Sequence, residues 1–266
     1  MRGHLHLTAS CYPAGQTYLR EQSFRSPLHL SKPHEDAGAL VVNIVNPTAG
    51  IFDGDAIELN VVAETGASIV LTTPSASRVY KSRNGGPARV QQTFTVQAGA
   101  FLEFYPEPFI PQAGARYHQK TELRVASEGQ LFYFDWLSPG RVASGEVFQY
   151  AELLWDLDVW TGEKLAARER YRLSPEDRSL DSLRLLHAQT HYLSCFVIGT
   201  ETLPVAELEA LNSPEVYLGH SPLSAGGFTI KVLCQDSLSA RRTLRQLRDI
   251  LYHSMSRQVP NLGRYM

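Results

Sequence analysis

The sequence predicts a mainly β protein, built as a single domain over residues 1–266 that is wound into stacked, β-helix-like coils and carries a C-terminal amphipathic helix. Three observations support this fold class. Apolar and polar residues alternate through the first two thirds of the chain, glycine turns recur at nearly constant spacing, and the clearest helical periodicity is near the end. A wound β architecture is therefore favoured over a Greek-key sandwich.

The period-two alternation is clearest at residues 56–61 (AIELNV), 68–71 (SIVL) and 90–96 (VQQTFTV). β-Branched and aromatic residues fill these segments, as they do in half-buried strands. Glycine and proline interrupt them at short intervals, for example at Asn46-Pro47 and Asp53-Gly54. The pattern predicts many short strands joined by turns.

Five glycine turns recur along the chain, four of them immediately before an apolar segment: Gly38, Gly66, Gly99, Gly129 and Gly162. Their spacings are 28, 33, 30 and 33 residues. A period of this length with similar neighbours predicts that each repeat is one structural rung, with room for two or three short strands.

A helix is predicted over residues 239–253, where Leu244, Leu247 and Leu251 share one face. Ser237 or Ser239 is the expected N-cap, and Pro260 lies beyond the end of the helix. A second, short helix is predicted at residues 204–211, which are rich in helix formers and precede an Asn-Ser-Pro stop.

The composition disfavours several classes of partner. Lys and Arg number 25 against 27 Asp and Glu, so we expect no nucleic-acid partner and no electrostatic attraction to anionic lipid. No apolar run is long enough to cross a bilayer, so no membrane partner is expected. Three widely separated cysteines fit a reducing compartment, which predicts a cytoplasmic protein.

No catalytic signature is present in the sequence: it has no Walker loop, dinucleotide-binding glycine motif, nucleophile elbow or His-Glu-x-x-His motif. We therefore predict that the protein is not an enzyme. The histidine pairs His4/His6 and His187/His191 are better explained as surface or hydrogen-bonded histidines, and the cysteines lack a Cys-x-x-Cys partner. No permanent metal or cofactor is expected.

Four carboxylates lie in turns or among aromatic and proline residues, namely Asp55, Glu103, Glu107 and Glu146. One interpretation is structural: they face solvent or pair with a cation such as Arg78 or Arg141. The other is that several point inward and line a polar interior, which a β body tolerates when it is wet or holds an ion.

Four ordered motifs carry a resemblance to a known family. They are residues 46–55 (NPTAGIFDGD), 71–80 (LTTPSASRVY), 102–111 (LEFYPEPFIP) and 140–148 (GRVASGEVF). In these motifs the chain resembles the UreD family of urease accessory proteins, called UreH in some lineages. Arg78 stands where that family usually has Lys, and Ala49 where it often has Gly. The family-motif positions are Gly54, Thr72, Thr73, Arg78, Tyr80, Lys81, Pro106, Ile110, Gly140, Arg141, Gly145 and Phe148.

The resemblance implies a non-enzymatic metallochaperone and scaffold for urease maturation, with a wound, largely β fold. Such a protein assists nickel insertion into apo-urease, docks onto the apo-urease subunits and onto UreF, and reaches the GTPase UreG through UreF. The resemblance also implies an internal passage, so that the nickel ion is present only in transit.

Such a passage needs ligands that release the ion, because histidine and cysteine cages bind nickel too strongly. Our hypothesis is that Asp55, Glu103, Glu107 and Glu146 belong to its lining, with Thr72 and Thr73 as neutral oxygens. Two alternatives stay open at this point. One is a wound-β enzyme that acts on carbohydrate with paired carboxylates, and the other is a passive adaptor between urease and its other maturation factors.

Overall fold

The computed structural model describes residues 1–174 and 190–262, which form two large β-sheets packed face to face. His187 of the pair His187/His191 lies outside the described residues. The described strands are β1 (Arg2–Cys11), β2 (Thr17–Arg25), β3 (His29–Leu30), β4 (His34–Asp36), β5 (Ala39–Val45), β6 (Ala56–Ala63), β7 (Ser68–Thr72), β8 (Ser77–Val79), β9 (Ala88–Val96), β10 (Phe101–Tyr105), β11 (Phe109–Pro111), β12 (Arg116–Val125), β13 (Gln130–Leu137), β14 (Glu152–Thr161), β15 (Lys164–Leu173), β16 (His191–Ile198), β17 (Val216–Pro222) and β18 (Phe228–Cys234). The described helices are α1 (Val205–Glu209), α2 (Ser237–Ser254) and a 3₁₀ turn at Val142–Ser144.

The first sheet has the strand order β15-β14-β12-β9-β6-β1-β2. Its five inner strands, from β14 to β1, are all parallel to one another. Parallel neighbours cannot be joined by a hairpin, so the chain crosses to the second sheet between them. The edge strands β2 and β15 run antiparallel and end the parallel ladder on either side.

The second sheet has the order β17-β18-β16-β13-β10-β7-β5-β3, with β4, β8 and β11 attached beside it. Strands β5, β7, β10 and β13 are parallel, and each follows one of the first four glycine turns. Their residues Leu40, Ile69, Leu102 and Leu131 lie side by side in register. The prediction that one glycine period is one rung of a wound β structure is therefore confirmed for these four turns.

The fifth glycine turn has a different role. Gly162 lies between β14 and β15, which pair antiparallel within the first sheet. The chain thus folds back at this turn instead of crossing to the second sheet. The later strands β16, β18 and β17 extend the second sheet by antiparallel pairing only. The winding therefore ends at Gly162.

The second sheet is buried on both faces. On one face, residues such as Leu102, Phe104 and Leu131 pack against the first sheet. On the other face, residues such as Phe101 and Phe132 pack against α2. The aromatic residues Phe104, Tyr105 and Phe109 and Tyr252 of α2 are all buried.

Both predicted helices are present, and Leu244, Leu247 and Leu251 of α2 are buried against the second sheet. The predicted serine cap is wrong. Asp236 caps α2, because its carboxylate accepts the N–H groups of Leu238 and Ser239, and the Ser239 side chain accepts the Asp236 N–H in return. No helix in residues 1–174 or 190–262 combines the length and the apolar character that a membrane crossing requires.

Candidate functional site

A layer of polar side chains lies between the two sheets, inside an interior otherwise built of aliphatic and aromatic groups. On the second sheet, Asp135 of β13, Ser194 of β16 and Lys231 of β18 are aligned in one row across the strands. The first sheet contributes Gln92, Gln119, Thr121, Glu169 and Tyr171. Tyr133 and Tyr192 stand on either side of the row, two residues from Asp135 and Ser194 along their strands.

Hydrogen bonds join these residues across the interior. The Tyr133 hydroxyl lies 3.1 Å from Asp135 Oδ1 and 3.5 Å from Gln92 Oε1 of the first sheet. The Tyr171 hydroxyl donates to Glu169 Oε2 at 2.8 Å and lies 2.7 Å from the Tyr192 hydroxyl. The two sheets are therefore connected by polar contacts at this level as well as by hydrophobic packing.

Two cavities border this layer. The first has a volume of about 270 Å³ and is lined by residues that include Asn46, Arg78, Gln92, Glu107, Gln119 and Trp136. The second has a volume of about 380 Å³ and is lined by residues that include Tyr150, Glu169, Tyr171, Tyr192, Tyr217 and Lys231. Asp135 and Trp155 belong to the walls of both cavities. Asp135 thus lies in the wall that the two cavities share.

The surroundings of Asp135 disfavour a lone negative charge. Burial raises the pKa of Asp135 to about 8, although the Tyr133 hydroxyl and the Lys231 ammonium act in the opposite direction. The carboxyl group is therefore mostly protonated at neutral pH. A cation that arrives beside it favours the ionised form, so binding of the cation would release a proton.

Two of the four sequence-predicted carboxylates hold structural partners away from the polar layer. Asp55 is buried in the turn after Gly54, where it accepts hydrogen bonds from the Met1 ammonium at 2.6 Å and from the Phe52 N–H at 2.9 Å. Glu103 lies on the α2 side of β10 and is fully buried. It forms a bidentate ion pair with Arg248 of the helix, in which Arg248 Nε donates to Oε1 at 2.6 Å and Nη2 donates to Oε2 at 2.7 Å.

The other two carboxylates also pair with arginines. Glu107 binds Arg241 through both oxygens, at 2.7 and 2.5 Å, and it borders the first cavity. Glu146 pairs with Arg141 and accepts the Ala113 N–H at 3.0 Å. The Arg141 guanidinium holds the pKa of Glu146 below its usual value.

The four carboxylates thus contact different partners, and the structure does not gather them around one point. Within the described parts of the chain, no three histidine, cysteine, aspartate or glutamate side chains lie close enough together to hold a metal ion. Thr72 is buried at the end of β7, whereas Thr73 lines the first cavity and its hydroxyl accepts the Glu107 N–H at 2.8 Å. Transient nickel contact at Asp55, Glu103, Glu107 and Glu146 stays a prediction.

The sequence motifs are far apart along the chain but converge on the cavities. Parts of the first three motifs form the wall of the first cavity: residues 46–51, 73–78 and 104–109 each contribute to it. Phe148 of the fourth motif lines the second cavity. The remaining motif positions shape the surrounding loops. Tyr80 stacks on Phe52, and Ile110 pairs with Arg78 across β11 and β8. Lys81 is exposed, and the chain makes left-handed turns at Gly54 and Gly145.

Sequence reasoning missed the residues that the polar layer brings together. Asp135, Glu169 and Lys231 lie on three strands separated by tens of residues, and no motif joins them. One signal was available, because Asp135 is the only charged residue in the strand QLFYFDWL. Glu169 belongs to the segment RERYR, which by its composition resembles an exposed strand.

Comparison with known proteins gives one consistent result. The sequence model described as UreD urease accessory protein matches residues 1–264. A urease accessory protein UreD from Opitutus terrae is 39% identical over 261 residues, which cover 96% of each chain. A UreD from Acetivibrio thermocellus is 28% identical over 90% of this chain and 93% of its own, and a urease accessory protein UreH from Helicobacter hepaticus is 26% identical over 84% and 88%. This chain therefore belongs to the UreD family of urease accessory proteins.

Proposed function

We propose that this protein is a cytoplasmic metallochaperone and scaffold that assists nickel insertion into apo-urease, without catalytic turnover of its own. Its partners in this proposal are the apo-urease subunits, UreF and, through UreF, UreG. Membership of the UreD family and the names of the relatives support a role in urease maturation. The observation that carries the nickel role is the pair of cavities that share Asp135 in their walls.

The chemistry of the cavity walls supports passage rather than storage. Among the described residues, neither wall contains histidine or cysteine, and the metal-binding groups on offer are carboxylate, amide and hydroxyl oxygens. Nickel prefers nitrogen and sulfur ligands, so oxygen ligands hold it for a shorter time. An ion that enters such a space can therefore leave it again.

In this proposal the nickel ion moves from one cavity to the other past Asp135. Glu107 stands at the wall of the first cavity and Glu169 at the wall of the second, so each side offers a carboxylate. Asp55, Glu103 and Glu146 keep the transient role that we predicted for them as part of the same proposal. Substituting each of the four predicted carboxylates by Asn or Gln tests that role individually.

The decisive experiment replaces Asp135 by Asn and measures the nickel content of urease that matures with the variant. We expect nickel-poor urease, while the Asp135→Asn protein still co-purifies with UreF and the apo-urease subunits. Asp156→Asn is the matched control, because Asp156 lies in a strand of the first sheet with 44% of its side chain exposed. Full nickel loading with Asp135→Asn would refute the passage.

One observation favours a second candidate, a passive adaptor that only bridges urease and its maturation factors. Glu103, Glu107 and Glu146 are all paired with arginines, and a structural role alone would account for these pairs. An adaptor would tolerate Asp135→Asn and the other interior substitutions with no loss of nickel in urease. It would fail instead when surface residues that contact a partner are changed.

A further inference from the structure

The ammonium group of Lys231 lies inside the polar layer, where its contacts are those of a bound cation. Its Nζ donates to Ser194 Oγ at 2.6 Å and forms an ion pair with Glu169 of the opposite sheet. The Phe196 ring lies below it, with 4.5 Å between Nζ and the ring centroid. Such a set of a carboxylate, a hydroxyl and an aromatic face stabilises a cation that has lost most of its water.

Lys231 lies in the same cross-strand row as Asp135, with Ser194 between them. Ser194 is the direct cross-strand neighbour of both Asp135 and Lys231, so the three side chains form one row on the inner face. The next position in that row is Gly219, which carries no side chain and borders the second cavity. The ammonium therefore contacts Glu169 directly, is separated from Asp135 by Ser194, and borders open space at Gly219.

The negative charge of Glu169 at the second cavity requires a cation nearby. The second cavity is walled mainly by aromatic and aliphatic groups, including Tyr150, Leu157 and Leu233. The Glu169 carboxylate in such surroundings is costly without a counter-ion, and Lys231 supplies one from within the chain. A divalent ion is attracted by the same oxygens and repelled by the ammonium, so the two cannot occupy this place together.

We propose that the Lys231 ammonium is a tethered cation that occupies the passage between Asp135 and Glu169 and is displaced by each divalent ion in transit. The flexible four-carbon stem of lysine allows the head group to move toward the space at Gly219. When the ammonium returns, it competes with the ion for the carboxylates and shortens the stay of the ion. This inference rests on the passage proposed above and assigns its release step to one residue.

The test is to replace Lys231 by Met, which keeps the apolar stem and removes the charge. Nickel binding to the full chain, purified in complex with UreF, is measured by equilibrium dialysis, and release to a chelator is followed by stopped flow. We expect Lys231→Met to bind nickel at least tenfold more tightly and to release it at least tenfold more slowly. Lys120→Met is the control, because Lys120 is exposed on the first sheet, and it should match the unmodified protein.

Unchanged or weaker nickel binding by Lys231→Met, or an unchanged release rate, overturns the inference. Thermal unfolding of the variant complex shows whether Lys231→Met is folded. If it is not folded, Lys231→Gln is used in the same two measurements. The outcomes also separate the two proposals. If Asp135→Asn leaves urease fully loaded with nickel, both the proposed passage and the inference on Lys231 are refuted. If Asp135→Asn blocks loading while Lys231→Met binds and releases nickel normally, only the inference on Lys231 fails.

Discussion

Glu103 of β10 and Arg248 of α2 form a buried ion pair that joins the second sheet to the helix covering it. Arg248 Nε donates to Glu103 Oε1 at 2.6 Å, and the Tyr252 hydroxyl donates to Oε2 at 2.6 Å. Burial alone would lower the pKa of Arg248, but the attraction of Glu103 outweighs it and the pKa is raised. The charges of both partners are satisfied only while helix and sheet stay together.

Glu103→Gln should destabilise the protein by about 3–5 kcal/mol, because it leaves the Arg248 guanidinium buried without a counter-ion. Urea unfolding of the variant measures this free energy. Glu122→Gln is the control, since Glu122 pairs with Arg124 at the surface, where such pairs contribute about 0–1 kcal/mol. Equal losses for the two variants would contradict the structural role of the Glu103 pair.

His191 should make the protein less stable in mild acid. Burial lowers the pKa of His191 to about 4, and its Nδ1 accepts the indole N–H of Trp136 at 3.1 Å. Between about pH 6.5 and pH 4 the unfolded chain binds a proton at this residue that the folded chain does not, so stability falls as the pH falls. In His191→Gln this contribution is absent, and the stability difference between the two proteins should shift with pH in that window. A constant difference would show that His191 does not stay neutral.

The stability contribution of Asp135 should change with pH in the opposite direction to that of His191. Its pKa is raised to about 8, so between about pH 4 and pH 8 the folded protein keeps a proton that the unfolded chain loses. Stability therefore falls as the pH rises, by at most about 1.4 kcal/mol per pH unit. Asp135→Asn cannot ionise, and we expect its stability relative to the unmodified protein to increase from about pH 5 to about pH 8 in urea unfolding. A constant difference over that range would mean that Asp135 is ionised throughout.

Gly140→Ala should disrupt the loop that carries Arg141 and Glu146. Gly140 has φ = 141°, and a Cβ built on it would lie 2.5 Å from the Glu146 carbonyl oxygen. We expect the free energy of unfolding, measured by thermal unfolding, to fall by about 2 kcal/mol or more. Alanine is strained at this φ, and its Cβ would clash with the Glu146 carbonyl oxygen. Gly86→Ala is the control, because its Cβ would meet no atom within 4 Å and its φ is not positive. Similar melting temperatures for the two variants would refute this account.

The rung architecture could be predicted from the sequence because it leaves a periodic signal. Each turn of the winding needs one tight connection before a strand of the second sheet, so glycines such as Gly66 and Gly99 recur at that spacing. The change of direction at Gly162 could not be predicted in this way. A turn that closes a hairpin and a turn that precedes a parallel strand both require glycine, and the pairing partner is chosen by the rest of the fold.

The location of the polar layer could not be predicted, for a different reason. All five residues of β10 are buried, because the sheet has hydrophobic neighbours on both sides. Alternation then shows that Glu103 and Phe104 point to opposite faces but does not show which face meets the other sheet. Glu103 points to the helix, whereas Asp135 on β13 points between the sheets, and only the three-dimensional packing distinguishes the two.

The helix α2 also imposes an order on biosynthesis. The ribosome must add 145 more residues after Glu103 before its arginine partner exists. Until then the nascent chain presents a carboxylate in the middle of an uncovered aromatic surface that includes Phe101 and Phe132. The wound strands can associate early during translation, but their outer face is sealed only when the helix emerges, so the growing polypeptide depends on late-synthesised residues for protection from aggregation.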